Sequence, residues 1–497
     1  MPNYRELESR FRRIAVLEGA EAVLHWDAAT MMPKGGAQVR AEQIAGLKGL
    51  RHELLNHPAL ADLLSAAEAE RAALDPWQRA NLREMRRRWR HATALPADLV
   101  EASSKAASAC EMAWREARPA NDFAGLAPRL AEVVRLARER AAAKAAALDL
   151  SAYDALLDQY EPGLRQTAVD AVFGELMAFL PDLLGQAIAR QRSLPAPLPL
   201  PGPFPLAIQR KLAERLMAAL GFDFEYGRLD VSHHPFTGGV PDDVRLTTRY
   251  AEADFAGALM GTLHETGHAL YERGLPVRWR HQPVGEAMGM AMHESQSLIV
   301  EMQACRSDAF IGFLAPLLAE SFGGAAQAWA PANLARHYRR VARSPIRVDA
   351  DEVSYPLHIV LRYRLERRLI DGSLTVAELP GAWADLMREL VGVVPPDDRD
   401  GCLQDIHWMG GDLGYFPTYT LGAIAAAQLF AAAQAAVPGL AAALARGDFR
   451  PLVGWLAQNV HVQGSLHESA DALLVAVTGR PLDVAAFRGH LVERYLA

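Results

Sequence analysis

Cysteine is scarce in this chain: Cys110, Cys305 and Cys402 are the only three in 497 residues, and no two of them form a CxxC pair. A disulfide framework and a cysteine-held metal are thereby excluded, so any metal must be ligated by nitrogen and oxygen, and the expected setting is the reducing cytoplasm. Cys305 reads as an inert buried thiol. Long apolar runs are missing too. The best candidate, 421–436, is Ala-rich and short of the roughly 20 residues a membrane span needs, so a buried helix is expected and no membrane partner. The first residues, MPNYRELESRFRR, lack the apolar core of a signal peptide. Positive charge is not in excess either: the formal net charge is -7, and no nucleic-acid partner is expected. The short basic run at 87–90 reads as a solvated helix face. No internal repeat recurs at a fixed period.

What is present is an ordinary globular composition, 51 % hydrophobic and 22 % charged, which excludes a largely disordered chain. From residue 4 to about 190 the apolar spacing is helical almost throughout, with a break after Met32. It predicts helices over 37–57, 59–74, 76–94, 96–115, 123–147, 149–160 and 167–190. Residues 193–205, SLPAPLPLPGPFP, are the one proline-rich run. As a linker or rigid spacer they would divide a single catalytic domain, 1–497, into an N-terminal helical lobe, 1–195, and a second lobe, 206–497. After a helix at 206–220, the stretch 227–250 is turn-rich and β-branched and predicts two strands, with Gly238-Gly239 and Pro241-Asp242 as turns. Residues 345–351, PIRVDAD, look like a further strand. Helices are expected over 283–320, 331–343, 353–371, 375–391, 421–437 and 451–463, while 401–419 reads as an ordered loop.

The chemistry starts at 255–274, FAGALMGTLHETGHALYERG. Phe255, Leu259, Leu263 and Leu270 recur near a 3.6-residue period, and Gly274 before Pro276 supplies the stop. Inside this helix His264-Glu265-Thr266-Gly267-His268 sets two imidazoles one turn apart, with a carboxylate beside them. Residues four apart stand one above the other and can share an ion, whereas Glu265, rotated by about 100 degrees, is better placed to hold water than to ligate. That is the arrangement of a zinc hydrolase. A third protein ligand is needed, and His281, Glu286, His293, Glu294 and Glu301 are the candidates downstream. Glu294 lies about eleven residues into the helix expected from Pro283, and a hairpin connection of roughly nine residues would set it opposite His268. It belongs to a polar cluster, 293–297, amid Met288, Met290, Met292, Leu298, Ile299 and Val300, and a polar group in an apolar helix has to be satisfied by something. Glu294 is preferred on these grounds, and His293 stays open. The missing HxxGxxH continuation speaks against an all-His site.

Further segments carry a resemblance. His234-Pro235-Phe236, Asp243-Val244-Arg245-Leu246-Thr247, His293-Glu294-Ser295, Ile346-Arg347-Val348-Asp349-Ala350-Asp351 and Gly401-Cys402-Leu403-Gln404-Asp405-Ile406-His407-Trp408 match the HPF, DxRxT, HES, IRxxAD and GxxQDxHW elements of the M32 metallocarboxypeptidases, the carboxypeptidase Taq type. The WDxxTxMPxGG pattern is found from Trp26 to Gly36. The chain thus resembles that family over essentially its full length. The resemblance implies that Glu294 completes the ligand set with His264 and His268, around one zinc ion per subunit or sometimes cobalt. It implies a mainly α fold, a large helical peptidase with a long central cleft and a small β-sheet lining it, similar to the thimet oligopeptidase and angiotensin-converting enzyme group. The implied activity is removal of the C-terminal residue from unstructured peptides by a homodimer, with broad side-chain tolerance and a bias against proline near the scissile bond.

Roles follow for individual residues. Glu265 is the expected general base, delivering its proton to the leaving amine. In the similar peptidases a His and a Tyr from a late segment stabilise the oxyanion, which nominates His407 and Tyr415, with Tyr419 as substitute. A terminal carboxylate suits the planar fork of an arginine, and Arg347 is the first choice, before Arg245 and Arg362. His234 is expected to line the site, and Asp349, Asp351 and Glu352 to support or cap it. His467-Glu468-Ser469 repeats the HES letters without a partner helix and reads as coincidence. Two other readings use the same metal residues: an oligoendopeptidase, and a non-catalytic scaffold holding a structural metal. The retained Glu265 argues against the scaffold.

Overall fold

A computed structural model describes the whole chain, Met1–Ala497. Helices account for almost every element, joined by one three-stranded sheet. Two compact units are present, and the chain alternates between them: Met1–Trp89, Ala196–Tyr338 and Gly422–Asp483 form one, and Arg90–Pro195, Arg339–Leu421 and Val484–Ala497 form the other. The contiguous lobes 1–195 and 206–497 are therefore not the units. The proline run is one crossing among several, because helices distant in sequence complete each core.

In the first unit the helix Leu206–Leu220 falls where the spacing predicts it, between Pro205 and Gly221. The region after it forms three strands rather than two: β1 (Gly227–Val231), β2 (Phe236–Val240) and β3 (Asp243–Thr248). Their order is β1-β3-β2, with β1 parallel and β2 antiparallel to β3. Val240 pairs with Asp243, so Pro241 and Asp242 make the reversal while Gly238 and Gly239 lie inside β2. Leu229, Val244 and Leu246 of the sheet share a core with Leu259 and Leu263 of the helix Ala256–Gly274. That burial lays the sheet against the helix carrying His264 and His268.

The long helix predicted over 283–320 is interrupted. It becomes a turn at Pro283–Gly285, a helix at Gly289–Leu298, a π-helical turn at Ile299–Ala304 and a helix at Asp308–Phe322 whose cap, Ser307, accepts from the Phe310 N–H. The predicted helix 167–190 is likewise two, Gln166–Met177 and Leu180–Ser193. Pro181 starts the second one, since a proline fits a first turn and disfavours helical geometry just before it.

In the second unit, residues 345–351 are not a strand. Arg347–Asp349 is a 3-10 turn, and Asp351 accepts from the N–H groups of Val353 and Ser354, local bonds that displace a strand ladder. Asp351 thus ties the turn that leads into the next helix, Tyr355–Asp371, whose N-cap position is Ser354. Glu352 instead accepts from Arg494 and Tyr495 and meets His490 Nε2, which fastens the helix Val484–Leu496. Residues 401–416 contain no α-helix, in line with the loop reading. Glu366 from the buried helix Tyr355–Asp371 pins them, accepting from Trp408 Nε1 (2.7 Å) and the Gly414 N–H (2.9 Å), as well as from the Tyr153 hydroxyl (2.6 Å). Burial pushes the Glu366 carboxyl up to about 7 against these donors.

Candidate functional site

In the first unit, the helix Ala256–Gly274 packs against the helix Gly289–Leu298 at very short range. A methyl on Gly267 would lie 2.5 Å from the Gln296 carbonyl oxygen, and one on Gly422 would lie 2.7 Å from Glu294 Cβ. Two residues without side chains therefore let backbones close on the Glu294 segment from two directions, and Glu294 reaches the histidine pair. Its Oε2 lies 3.8 Å from His264 Nε2 and 3.5 Å from His268 Nε2. One atom from each of the three residues falls within 4.8 Å of the others. This is the ligand set that the sequence favoured. His293 is not part of it.

The outward nitrogens of both rings are engaged. His264 Nδ1 donates to Glu301 Oε2 at 3.0 Å, and Arg306 donates to the other Glu301 oxygen at 2.5 Å. Glu301 follows Glu294 by seven residues and sits on the π-helical turn. His268 Nδ1 lies 2.6 Å from His293 Nδ1, and His293 Nε2 lies 2.8 Å from Glu272 Oε1. If His268 offers the Nε2 lone pair to a cation, its proton is on Nδ1 and points to His293, which must then carry its own proton on Nε2 and give it to Glu272. One ring is thus held by a carboxylate and the other by a histidine and carboxylate in series.

The electrostatics favour a cation. Burial works against a charged His264, yet Glu294, Glu301 and Glu265 outweigh it and raise its pKa to about 10. Burial, with His293 beside it, lowers that of His268. Burial alone would raise the Glu294 carboxyl, but His264 and His268 bring it below the usual range. Two imidazoles with tethered backs and a carboxylate between them fit a divalent metal, for which His264, His268 and Glu294 would be the ligands. Replacing His293 by Leu is expected to weaken metal binding by about 10- to 100-fold. Gln, whose amide can accept from His268 and donate to Glu272, should stay near the parent; competition with a fluorescent chelator measures both.

Glu265 is next to this cluster without belonging to it. Its Oε2 accepts from the Thr237 hydroxyl of β2 at 2.6 Å, and the same hydroxyl lies 3.0 Å from the Glu265 carbonyl oxygen. Arg245, on β3, closes its fork on Asp243 at 3.0 and 2.7 Å and stacks on Trp26 with its guanidinium carbon 4.3 Å from the ring centroid. Arg228 approaches the same ring at 4.7 Å. Arg245 therefore acts as a clamp between the helix Pro2–Thr30 and the sheet. His234 is exposed in the loop between β1 and β2.

The other nominated residues gather in the second unit around Asp405. Arg347 gives Nε and Nη2 to Asp405 Oδ1 at 2.9 and 2.8 Å, and Nη1 to the Tyr355 hydroxyl at 2.8 Å. Arg362 gives Nε to Asp405 Oδ2 at 2.7 Å and also bonds it through Nη2. The anion partner of Arg347 is thus Asp405, rather than the nearby Asp349 or Glu352. His407 Nε2 lies 3.2 Å from the Tyr419 hydroxyl, and Tyr415 packs on both rings. Burial, reinforced by Arg347 and Arg362 and opposed by Asp405, brings His407 down to about 4. Asp405 as the shared counter-ion, Thr237, Glu272 and Arg306 were not singled out in the sequence. Glu272, four residues after His268, carried the one spacing signal among them.

The sequence profile described as "Carboxypeptidase Taq (M32) metallopeptidase" matches residues 6–495. A thermostable carboxypeptidase 1 from Thermus thermophilus is 39% identical, over 99% of this chain and 98% of the relative. Among solved structures, metallocarboxypeptidase 1 of Trypanosoma cruzi superposes with a TM-score of 0.97 at 39% identity, covering 100% of both chains. An M32 carboxypeptidase from Deinococcus radiodurans R1 gives 0.93 at 36% identity, again over 100% of both.

Proposed function

This chain belongs to the carboxypeptidase Taq (M32) family of metallopeptidases, and on that footing we propose that it removes single C-terminal residues from unstructured peptides with broad side-chain tolerance. The observation that carries the reading is Glu265: a carboxylate adjoining the His264, His268 and Glu294 cluster that is held by Thr237 instead of being spent as a ligand. A structural metal has no use for such a group, whereas hydrolysis needs a base.

When bound, a divalent metal supplies Lewis acidity to the scissile carbonyl and lowers the pKa of water. Glu265 takes the proton of the attacking water and returns it to the leaving amine, so the bond to the C-terminal residue breaks with no net proton change in the enzyme. Zinc is the proposed metal, with cobalt as substitute. For the oxyanion we propose His407 with Tyr415 or Tyr419, and for the terminal carboxylate Arg347, before Arg245 and Arg362. The support is charge: two guanidiniums face one carboxylate, Asp405, which leaves one positive charge in surplus. A cytoplasmic homodimer, working without nucleic acid or membrane, is proposed on the resemblance and on three buried free cysteines.

A timed digest of one unstructured peptide tests the activity. Stepwise loss of single C-terminal residues is expected, and the C-terminally amidated peptide should be inert because it offers no carboxylate to an arginine. Internal cuts would replace this reading by an oligoendopeptidase. Metal analysis of the purified protein reads zinc against cobalt, and sedimentation reads the dimer.

A further inference from the structure

Strand β2 contributes a hydroxyl to the metal helix, and that contact is built rather than incidental. Thr237 pairs with Leu246 across the β2–β3 ladder, so the two side chains share a sheet face. Leu246 is fully buried against Leu259 and Leu263 of the helix Ala256–Gly274, which turns the Thr237 side chain toward the same helix. Pro235 precedes the strand and Pro241 follows it, fixing the backbone at both ends. The hydroxyl then meets Glu265 twice, at Oε2 (2.6 Å) and at the carbonyl oxygen (3.0 Å). Its single hydrogen belongs with the carboxylate, since that contact is the shorter and is charge-assisted.

We propose that Thr237 is a positioning residue for hydrolysis: by holding Oε2 it fixes the plane of the Glu265 carboxylate and presents Oε1 to the attacking water. This rests on Glu265 being the general base. A carboxylate free to swing about its terminal torsion would spend much of its time with neither oxygen aimed at the water, and that loss falls on the chemical step rather than on peptide binding. The sheet therefore positions the base as well as packing on the helix.

The test compares Thr237→Val, which keeps the shape and removes the donor, with Thr237→Ser, which keeps the donor. In the metal-loaded enzyme Thr237→Val should lower kcat by about 10- to 100-fold while KM stays within about twofold. Thr237→Ser should remain within about threefold of the parent. Metal affinity, read by chelator competition, should be unchanged in both. Combining Thr237→Val with Glu265→Gln separates the two ideas: with the base gone, the Thr237 substitution should cost nothing further. Full kcat in Thr237→Val, loss of metal in that variant, or failure of Ser to restore the rate would each overturn the role of Thr237. Normal turnover by Glu265→Gln alone would instead overturn the general-base reading beneath it.

Discussion

Glu265→Gln is expected to abolish turnover, by about 10,000-fold at the upper range for a general base, while the protein keeps its metal. The substitution changes almost nothing in shape. The Thr237 hydroxyl can still donate to the amide oxygen, and the ligands His264, His268 and Glu294 are untouched. What disappears is an acceptor for the proton of water. Glu294→Gln makes the contrast, since it weakens a ligand and should release metal together with activity. Peptide hydrolysis read beside the metal content of the same sample distinguishes the two losses. Persistent activity in metal-replete Glu265→Gln would remove the mechanism proposed here.

Asp405→Asn is expected to destabilise the folded state by about 3–5 kcal/mol, the cost of breaking a buried ion pair by removing one partner. Arg362 is 0 % exposed and Arg347 7 % exposed, so both guanidiniums remain largely out of water when the carboxylate loses its charge. A surface pair such as Arg364 with Glu389 should cost no more than about 1 kcal/mol when broken. Denaturant midpoints for Asp405→Asn and Glu389→Gln, followed by circular dichroism, measure the difference. A change below about 1 kcal/mol for Asp405→Asn would refute the argument.

The same cluster sets the response to acid. Burial alone would raise the Asp405 carboxyl, but Arg362 and Arg347 hold it below the usual range. Its contribution is present above the unfolded value of about 3.9 and is lost as the pH falls through the folded value. The buried imidazoles act earlier. His407 is brought to about 4, and His358, by burial with Arg362 and Arg347 beside it, to about 3. Unfolded histidine takes a proton near pH 6.5, so the stability these two contribute is complete above that pH and drains as the pH falls toward 4, by about 1.4 kcal/mol per pH unit for each. Glu366, held near 7, gains stability over the same fall and offsets about one of the two, so denaturant midpoints should decline by the remainder between pH 6.5 and 4, before Asp405 is protonated.

The gathering of His264, His268 and Glu294 was legible because helix geometry fixes where residues four apart point, and Glu294 stood out as a polar group in an apolar helix. Long helices such as Phe123–Leu148 were legible for the same reason, their period being local. What stayed hidden depends on distant contacts. Glu301 was a candidate ligand, yet it holds the back of His264 from a π-helical turn that apolar spacing does not register. His293 looked like a possible ligand because nothing local reveals that it lies between His268 and Glu272. Arg245 and Arg347 were both nominated for a substrate carboxylate, and nothing local reveals that their forks meet Asp243 and Asp405. The sharing of Asp405 by Arg347 and Arg362 joins positions far apart in the chain, beyond the reach of any periodicity.

A ribosome delivers this chain from one end, and its two units do not follow that order. His264, His268 and Glu294 have all emerged once Glu294 is made. Gly422, whose missing side chain lets a later helix close on Glu294, comes far behind them, on Pro417–Ala436. The second unit waits longer, for the Val484–Leu496 helix that Glu352 binds through His490, Arg494 and Tyr495. From its histidine pair until Gly422 is made, a nascent chain therefore carries an open apolar flank, exposed to aggregation. Both cores close only when the last segments arrive, so maturation is governed by non-local contacts made at the end of translation.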